Sequence, residues 1–436
     1  MRTLYRLLGI AALWVTMMDP ASAQGPAPAL VGYWHNWDDA SAPYLELDQI
    51  DPRYNVIEVA FAEPAPGSTY DMQFTPSGTP QATFIDQIAA HQASGHQVLI
   101  SIGGANATVH LGSDAERDQF VTSMMNILST YGFDGIDIDL EGASMSITGG
   151  TIAAPADEPV IRLIEALNGI MSQFRTMTGE KLFLTIAPET AYVQGGQSAF
   201  GGIWGAYLPV IHALRDSLDI LQVQLYNSGS MFGLDGGIYT QGTADFIVSQ
   251  TEAVIQGFST GGGEFPGLSA EKVAVALPAC SAAAGGGYTD TATVRLAMEY
   301  LLGQGPQPGA YTLQVPGGYP ALRGLMTWSI NWDAVPTCDG ADGFAENFER
   351  IFGDTPTGIV DTGRPGSRAY YDPDTDLLWC TACGAVVLYD QLGRRILFDR
   401  RNSSGTTLDL SSLNDGVYLV VEDVQGHAKA HRFVKY

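Results

Sequence analysis

Asp134-Gly135-Ile136-Asp137-Ile138-Asp139-Leu140-Glu141 decides how this chain is read. In an extended strand alternate side chains share a face, so Asp137, Asp139 and Glu141 point one way while Ile136, Ile138 and Leu140 point the other. If the strand belongs to a barrel, the apolar set packs outward against helices and the acids point inward, climbing toward the C-terminal rim. Three inward carboxyls with no cation between them imply shared protons and raised pKa values, the property that a general acid needs. A solvated strand edge would place polar residues between the acids, where this chain has Ile, Ile and Leu. A metal site is disfavoured because the seven histidines are scattered and no His-Glu-x-x-His is present. The expectation is therefore no metal and no cofactor.

Working outward, seven further short β-rich runs flank this one: Leu30–Trp34, Val56–Phe61, Val98–Ile102, Leu182–Ala187, Ile220–Leu225, Val273–Leu277 and Gly324–Ile330. Amphipathic stretches lie between them at Phe84–Gln92, Glu116–Tyr131, Val160–Met177, Asp245–Phe258 and Val294–Leu302. Eight strands alternating with helices predict an α/β chain closed as a (β/α)8 TIM barrel. An open doubly wound sheet would need a Gly-rich phosphate turn after its first strand, and His35-Asn36-Trp37-Asp38-Asp39 follows instead. Gly261-Gly262-Gly263 and Gly285-Gly286-Gly287 read as structural or flexible turns.

The barrel is expected over residues 24–353. Residues 354–376, rich in Gly, Pro, Thr and Asp, read as a linker, and 377–436 as a small all-β C-terminal domain of short strands and tight turns. Residues 1–23 have the form of a signal peptide: Arg2 and Arg6, an apolar run from Leu7 to Met18, then Ala21-Ser22-Ala23. That run is too short to span a bilayer, so the mature chain is expected to carry no membrane span and to be secreted or held at the cell surface. Export permits disulfides, and the four cysteines allow Cys280 with Cys338 and Cys380 with Cys383. A net charge of −26 argues against nucleic-acid or anionic-membrane partners, because there is no basic stripe to neutralise phosphates.

The acidic stretch resembles the Asp-x-x-Asp-x-Asp-x-Glu signature of family 18 glycoside hydrolases, and Ser101-Ile102-Gly103-Gly104 resembles their Ser-x-Gly-Gly motif. Leu184-Thr185-Ile186-Ala187-Pro188-Glu189-Thr190, Gln222-Val223-Gln224-Leu225-Tyr226-Asn227 and Met326-Thr327-Trp328-Ser329-Ile330-Asn331-Trp332-Asp333 are similar to the bacterial chitinase D subgroup. The resemblance implies retaining, substrate-assisted cleavage of β-1,4-N-acetylglucosamine linkages in chitin or chito-oligosaccharides, an exception to the two-carboxylate scheme. By this analogy Glu141 is the acid/base, Asp139 holds the acetamide N–H of the sugar, Asp137 shares a proton with Asp139, and Tyr226 bonds the acetamide oxygen. Trp328, Tyr33, Phe61, Gln224 and Asn227 are the expected substrate contacts, with Asn227 standing where many members carry Asp.

Pro278–Leu322 looks too short for the α+β insertion that walls some family members, which implies an open groove and cleavage within chains. The tail from Ala385 resembles the C-terminal sorting domain of type IX secretion, making that export machinery an expected partner; a small carbohydrate-binding module is the rival reading. For the whole chain, an endo-N-acetylglucosaminidase acting on N-glycans and a silent chitin-binding lectin are the alternatives; retention of Glu141 argues against the lectin.

Overall fold

The alternation of apolar strands and amphipathic helices closes into a barrel. The structure, a computed structural model, describes residues 25–353 except 339 and 342. Beyond them it describes residues 369–372, 377–380, 385–390, 394–399, 406–411, 413, 416–424 and 427–435. The stretch read as a signal peptide, most of that read as linker, and Cys383 lie outside the described residues. The chain divides into two units, Met1–Ile351 and Phe352–Tyr436.

In the first unit the barrel strands are β1 Ala29–His35, β2 Val56–Pro64, β3 Gln97–Gly103, β4 Gly135–Asp139, β5 Phe183–Ile186, β6 Ile220–Leu221, β7 Ala274–Pro278 and β8 Gly324–Trp328. All neighbours from β7 through β8 and β1 round to β6 pair in parallel. The ring closes between β6 and β7 through single parallel bridges, Leu221 with Val273 and Gln224 with Ala276. The helices of seven residues or more are α1 Gln81–Ala93, α2 Asp114–Tyr131, α3 Glu158–Thr178, α4 Leu208–Leu214, α5 Ala244–Gln256, α6 Thr291–Leu301 and α7 Gly343–Phe352, and a short turn of helix at Ile330–Asp333 follows β8. α2 shows how local sequence sets their limits. Ser113 caps its first turn by accepting the Glu116 N–H, and Gly132 ends it in the left-handed conformation at φ 73°.

The first crossover departs from the strict repeat, since only the 3-10 turn Leu47–Gln49 lies between β1 and β2. Among the described residues no strand lies between β7 and β8, where the α+β insertion was expected to be missing.

The barrel interior is layered. Val31, Val56, Leu99, Phe183, Ile220 and Ala274 belong to one buried apolar cluster. Next to them come the buried polar side chains Glu58, Ser101, Asp137, Thr185 and Gln222. Register explains their meeting: Ser101 lies opposite Asp137 across β3 and β4, and Asp137 opposite Thr185 across β4 and β5. Side-chain layers supplied by successive strands are how a parallel barrel fills its core.

In the second unit three antiparallel strands form one sheet, Ala369–Asp372, Leu377–Cys380 and Thr406–Asp409. Four more form another, in the order Arg395–Asp399, Ala385–Asp390, Gly416–Val424, His427–Lys435. The first of these strands falls inside the stretch read as linker: Ala-Tyr-Tyr-Asp is a strand-forming run hidden by the Gly, Pro and Arg residues before it.

Candidate active site

β4 ends at Asp139, and the chain passes through Leu140 to Glu141 at the barrel mouth. The Tyr207 hydroxyl fixes this exit. It accepts the Leu140 N–H at 2.7 Å and donates to the Leu140 carbonyl at 3.0 Å. Gly103 and Gly104 leave room beside it. A Cβ on Gly103 would meet the Asp139 carbonyl oxygen at 2.4 Å, and one on Gly104 the Phe61 ring at 2.7 Å, and both have positive φ.

The ladder of acids splits into a single lower carboxyl and an upper pair. Asp137, fully buried, accepts from Tyr33 Oη and Ser101 Oγ on one oxygen, each at 2.7 Å, and lies 2.7 Å from Thr185 Oγ1 on the other. Above it, Gln224 Nε2 donates to Asp139 Oδ1 at 2.9 Å and Glu141 Oε1 at 3.1 Å, bracketing the upper two carboxyls. Burial raises all three pKa values, and for Asp139 the neighbouring Glu141 and Asp137 raise it further. Carboxyls so placed titrate as a set, and the set keeps protons above the ordinary carboxylate range without each member holding one.

A cavity of about 560 Å3 opens over this end of the barrel, a size that suits a small ligand or sugar unit. Its wall includes Asp139, Glu141, Gln224, Tyr226, Asn227, Phe61 and Trp328. Phe61 and Trp328 stack at 6.0 Å and 13°, and Trp37 closes the aromatic group at 6.2 Å from Phe61. Two of the expected site residues lie elsewhere. Asp137 sits beneath the floor, and Tyr33 is fully buried with its hydroxyl engaged by Asp137, so neither forms part of the cavity wall. Nor is Asp137 hydrogen-bonded to Asp139 among the described residues; its partners are hydroxyls from three other strands and, at 3.4 Å, the Gln222 amide.

Asn227 is the one non-glycine residue with positive φ among the described residues, at 53°. It is held by Gly286, which receives its backbone N–H at 3.0 Å and gives an N–H to its Oδ1 at 3.1 Å. The Gly285–Gly287 turn is thus a structural part of the rim. Of the two pairings the cysteines allow, Cys280–Cys338 is formed and ties the segment after β7 to that after β8.

Sequence reading missed several wall residues. Trp37 and Asn36 lie just beyond β1 in a stretch weighed only as a phosphate turn, and Glu189 lies three residues past the end of β5 in a quoted motif. Their place at the C-terminal ends of strands was the available signal. Glu189 is a further acid in the cavity wall, and burial, then the charge of Glu141, raises its pKa. Glu58, buried in the middle of β2, was also missed.

Comparison with known proteins agrees with this geometry. The profile described as Glycosyl hydrolases family 18 matches residues 29–390. Chitinase Chi52 of Paenibacillus xylanexedens is 46% identical over 330 residues, covering 74% of this chain and 62% of its own. Chitinase D of Niallia circulans is 46% identical over 332 residues with the same coverage, 74% and 62%. A family GH18 chitinase from Chromobacterium violaceum superposes with a TM-score of 0.66 at 37% identity, covering 75% of this chain and 84% of that one. The chain spans about three fifths of the length of these curated relatives. It belongs to glycosyl hydrolase family 18.

Proposed function

We propose that this protein hydrolyses β-1,4-N-acetylglucosamine linkages in chitin or chito-oligosaccharides, with retention and with the sugar's own acetamide as nucleophile. The observation that carries the reading is Gln224 holding Asp139 and Glu141 together, at 2.9 and 3.1 Å, in the wall of a cavity floored by aromatic rings. Glu141, kept protonated by burial, gives its proton to the glycosidic oxygen. The acetamide carbonyl oxygen attacks C1, the C1–O bond to the leaving sugar breaks, and an oxazolinium ion forms. Asp139 accepts the acetamide N–H and offsets the growing positive charge. Tyr226, at the same wall, donates to the acetamide oxygen, and Trp328 with Phe61 lies under the sugar ring. Water, deprotonated by Glu141, then opens the oxazolinium.

The relatives named chitinases support chitin over N-glycans as substrate. The open rim between β7 and β8 supports cleavage within chains. The leader-like residues 1–23 support export, and the antiparallel β unit at the C-terminus is the candidate type IX sorting domain.

The test is Glu141→Gln against wild type on chito-oligomers and on a high-mannose glycoprotein. A general acid contributes roughly 10²–10⁴ in rate, so kcat on chito-oligomers should fall by at least about 100-fold. The wild-type rate should also fall as pH rises through the raised Glu141 pKa, because the acid must be protonated. Cleavage of the glycoprotein alone, or an unimpaired variant, refutes the proposal.

A further inference from the structure

We propose that Glu58 is a proton-bearing positioning residue beneath the ladder: as a neutral acid it donates to Thr185, which donates to Asp137 and keeps that carboxyl the anion. The effect on turnover rests on the hydrolytic reading above; the protonation does not.

The geometry requires one proton here. Thr185 Oγ1 lies 2.8 Å from Glu58 Oε1 and 2.7 Å from Asp137 Oδ1. A hydroxyl has a single hydrogen, so it donates to one carboxyl and must accept from the other, which is then protonated.

The surroundings say which. Asp137 is met by donors: Tyr33 Oη and Ser101 Oγ at 2.7 Å, with Gln222 Nε2 at 3.4 Å. Glu58 has one amide donor, Gln222 Nε2 at 2.6 Å, and its Oε2 is buried with no partner. A carboxylate is stabilised by several charge-assisted bonds, whereas a partnerless oxygen in a dry interior is tolerated better on a neutral acid. The groups facing Glu58 are Tyr33 from β1, Asp137 and Asp139 from β4, Thr185 from β5, and Gln222 with Tyr226 from the segment after β6. None is cationic, so nothing favours ionising Glu58 as well as Asp137. Burial, then the charge of Asp137, holds Glu58 well above the carboxylate range, in keeping with a retained proton.

Fixing the charge on Asp137 has a consequence above it. That charge is among the causes raising Asp139, which shares the Gln224 amide with Glu141. The proton at the reacting end is thereby retained toward neutral pH.

Glu58→Leu and Glu58→Gln separate this role from packing, because the glutamine amide also donates to Thr185 without carrying charge. On chito-oligomers, Glu58→Leu should lower kcat about tenfold with KM changed less than about twofold, and Glu58→Gln should recover kcat to within about threefold. The alkaline limb of kcat/KM for Glu58→Gln should stay within about 0.3 pH units of wild type. In the infrared difference between wild type and Glu58→Gln at neutral pH, the lost band should be that of a protonated carboxylic acid. Wild-type kcat in Glu58→Leu, equal impairment in both variants, a downward shift of the alkaline limb by about one unit, or loss of a carboxylate band would each overturn the proposal. The infrared comparison needs no turnover, so it decides the protonation even if chito-oligomers are not the substrate.

Discussion

His35→Phe should remove a pH dependence of stability that the barrel mouth builds in. His35 ends β1, is 2% exposed, stacks on Trp37 at 4.4 Å and 11°, and tilts against Trp328 at 4.9 Å. Neither ring nitrogen has a hydrogen-bond partner, and burial lowers its pKa from 6.5 to about 4, with Asp39 opposing weakly. The folded state therefore refuses a proton that the unfolded chain accepts between these values, so this contribution is intact above pH 6.5 and is lost as pH falls toward about 4. Between pH 7 and pH 4.5 the loss works out at about 2 kcal/mol. Phenylalanine keeps the stacked ring without the titration. Urea unfolding of both proteins across this range isolates the effect, because carboxyl titrations common to both cancel in the difference. Wild type should lose about 2 kcal/mol more than the variant on acidification. Stability curves that stay parallel within about 0.5 kcal/mol would refute the reasoning.

Replacing both Cys280 and Cys338 by Ser should destabilise the protein by up to about 4 kcal/mol, because the bridge closes a loop of 58 residues in the unfolded chain; thermal unfolding under non-reducing conditions measures it. Trp37→Ala, which removes one ring of the cavity wall, should raise KM for chito-oligomers about tenfold with a smaller effect on kcat, read by steady-state kinetics.

The barrel was legible because its strands are apolar runs at a regular interval, and all eight runs became strands. What was not legible depended on tertiary context. α4 is only Leu208–Leu214, with five of its seven residues buried, and is too short to show an amphipathic period. α7 lies close to the Gly- and Pro-rich stretch that marked the end of the barrel, although its apolar face is strong. β6 ends at Leu221, where the apolar reading ran on to Leu225, because Gln222 and Gln224 point inward to the acids and bond β7 only through an isolated bridge.

At the site, alternation along β4 gave the inward acids directly, and resemblance supplied Gln224, Tyr226 and Trp328. Tyr33 was placed a layer too high, since nothing local distinguishes an aromatic under the floor from one in the wall. Glu58 sits in Val-Ile-Glu-Val-Ala, where a single acid is easily taken as an exposed position; only its parity with inward Val56 and Ala60 betrays it.

The contact between Gly287 and Tyr226 bears on how this protein can be re-engineered. A side chain at Gly287 would begin 2.5 Å from the Tyr226 Cα, at a backbone φ of 94°. A phenol carried by one strand end is thus set in place by a glycine that arrives 61 residues later in the chain, after the next strand. Exchanging the segment after β7 for a longer or bulkier one would shift that phenol before it altered any new contact. Loop grafts meant to extend the groove should leave residues 285–287 as they are.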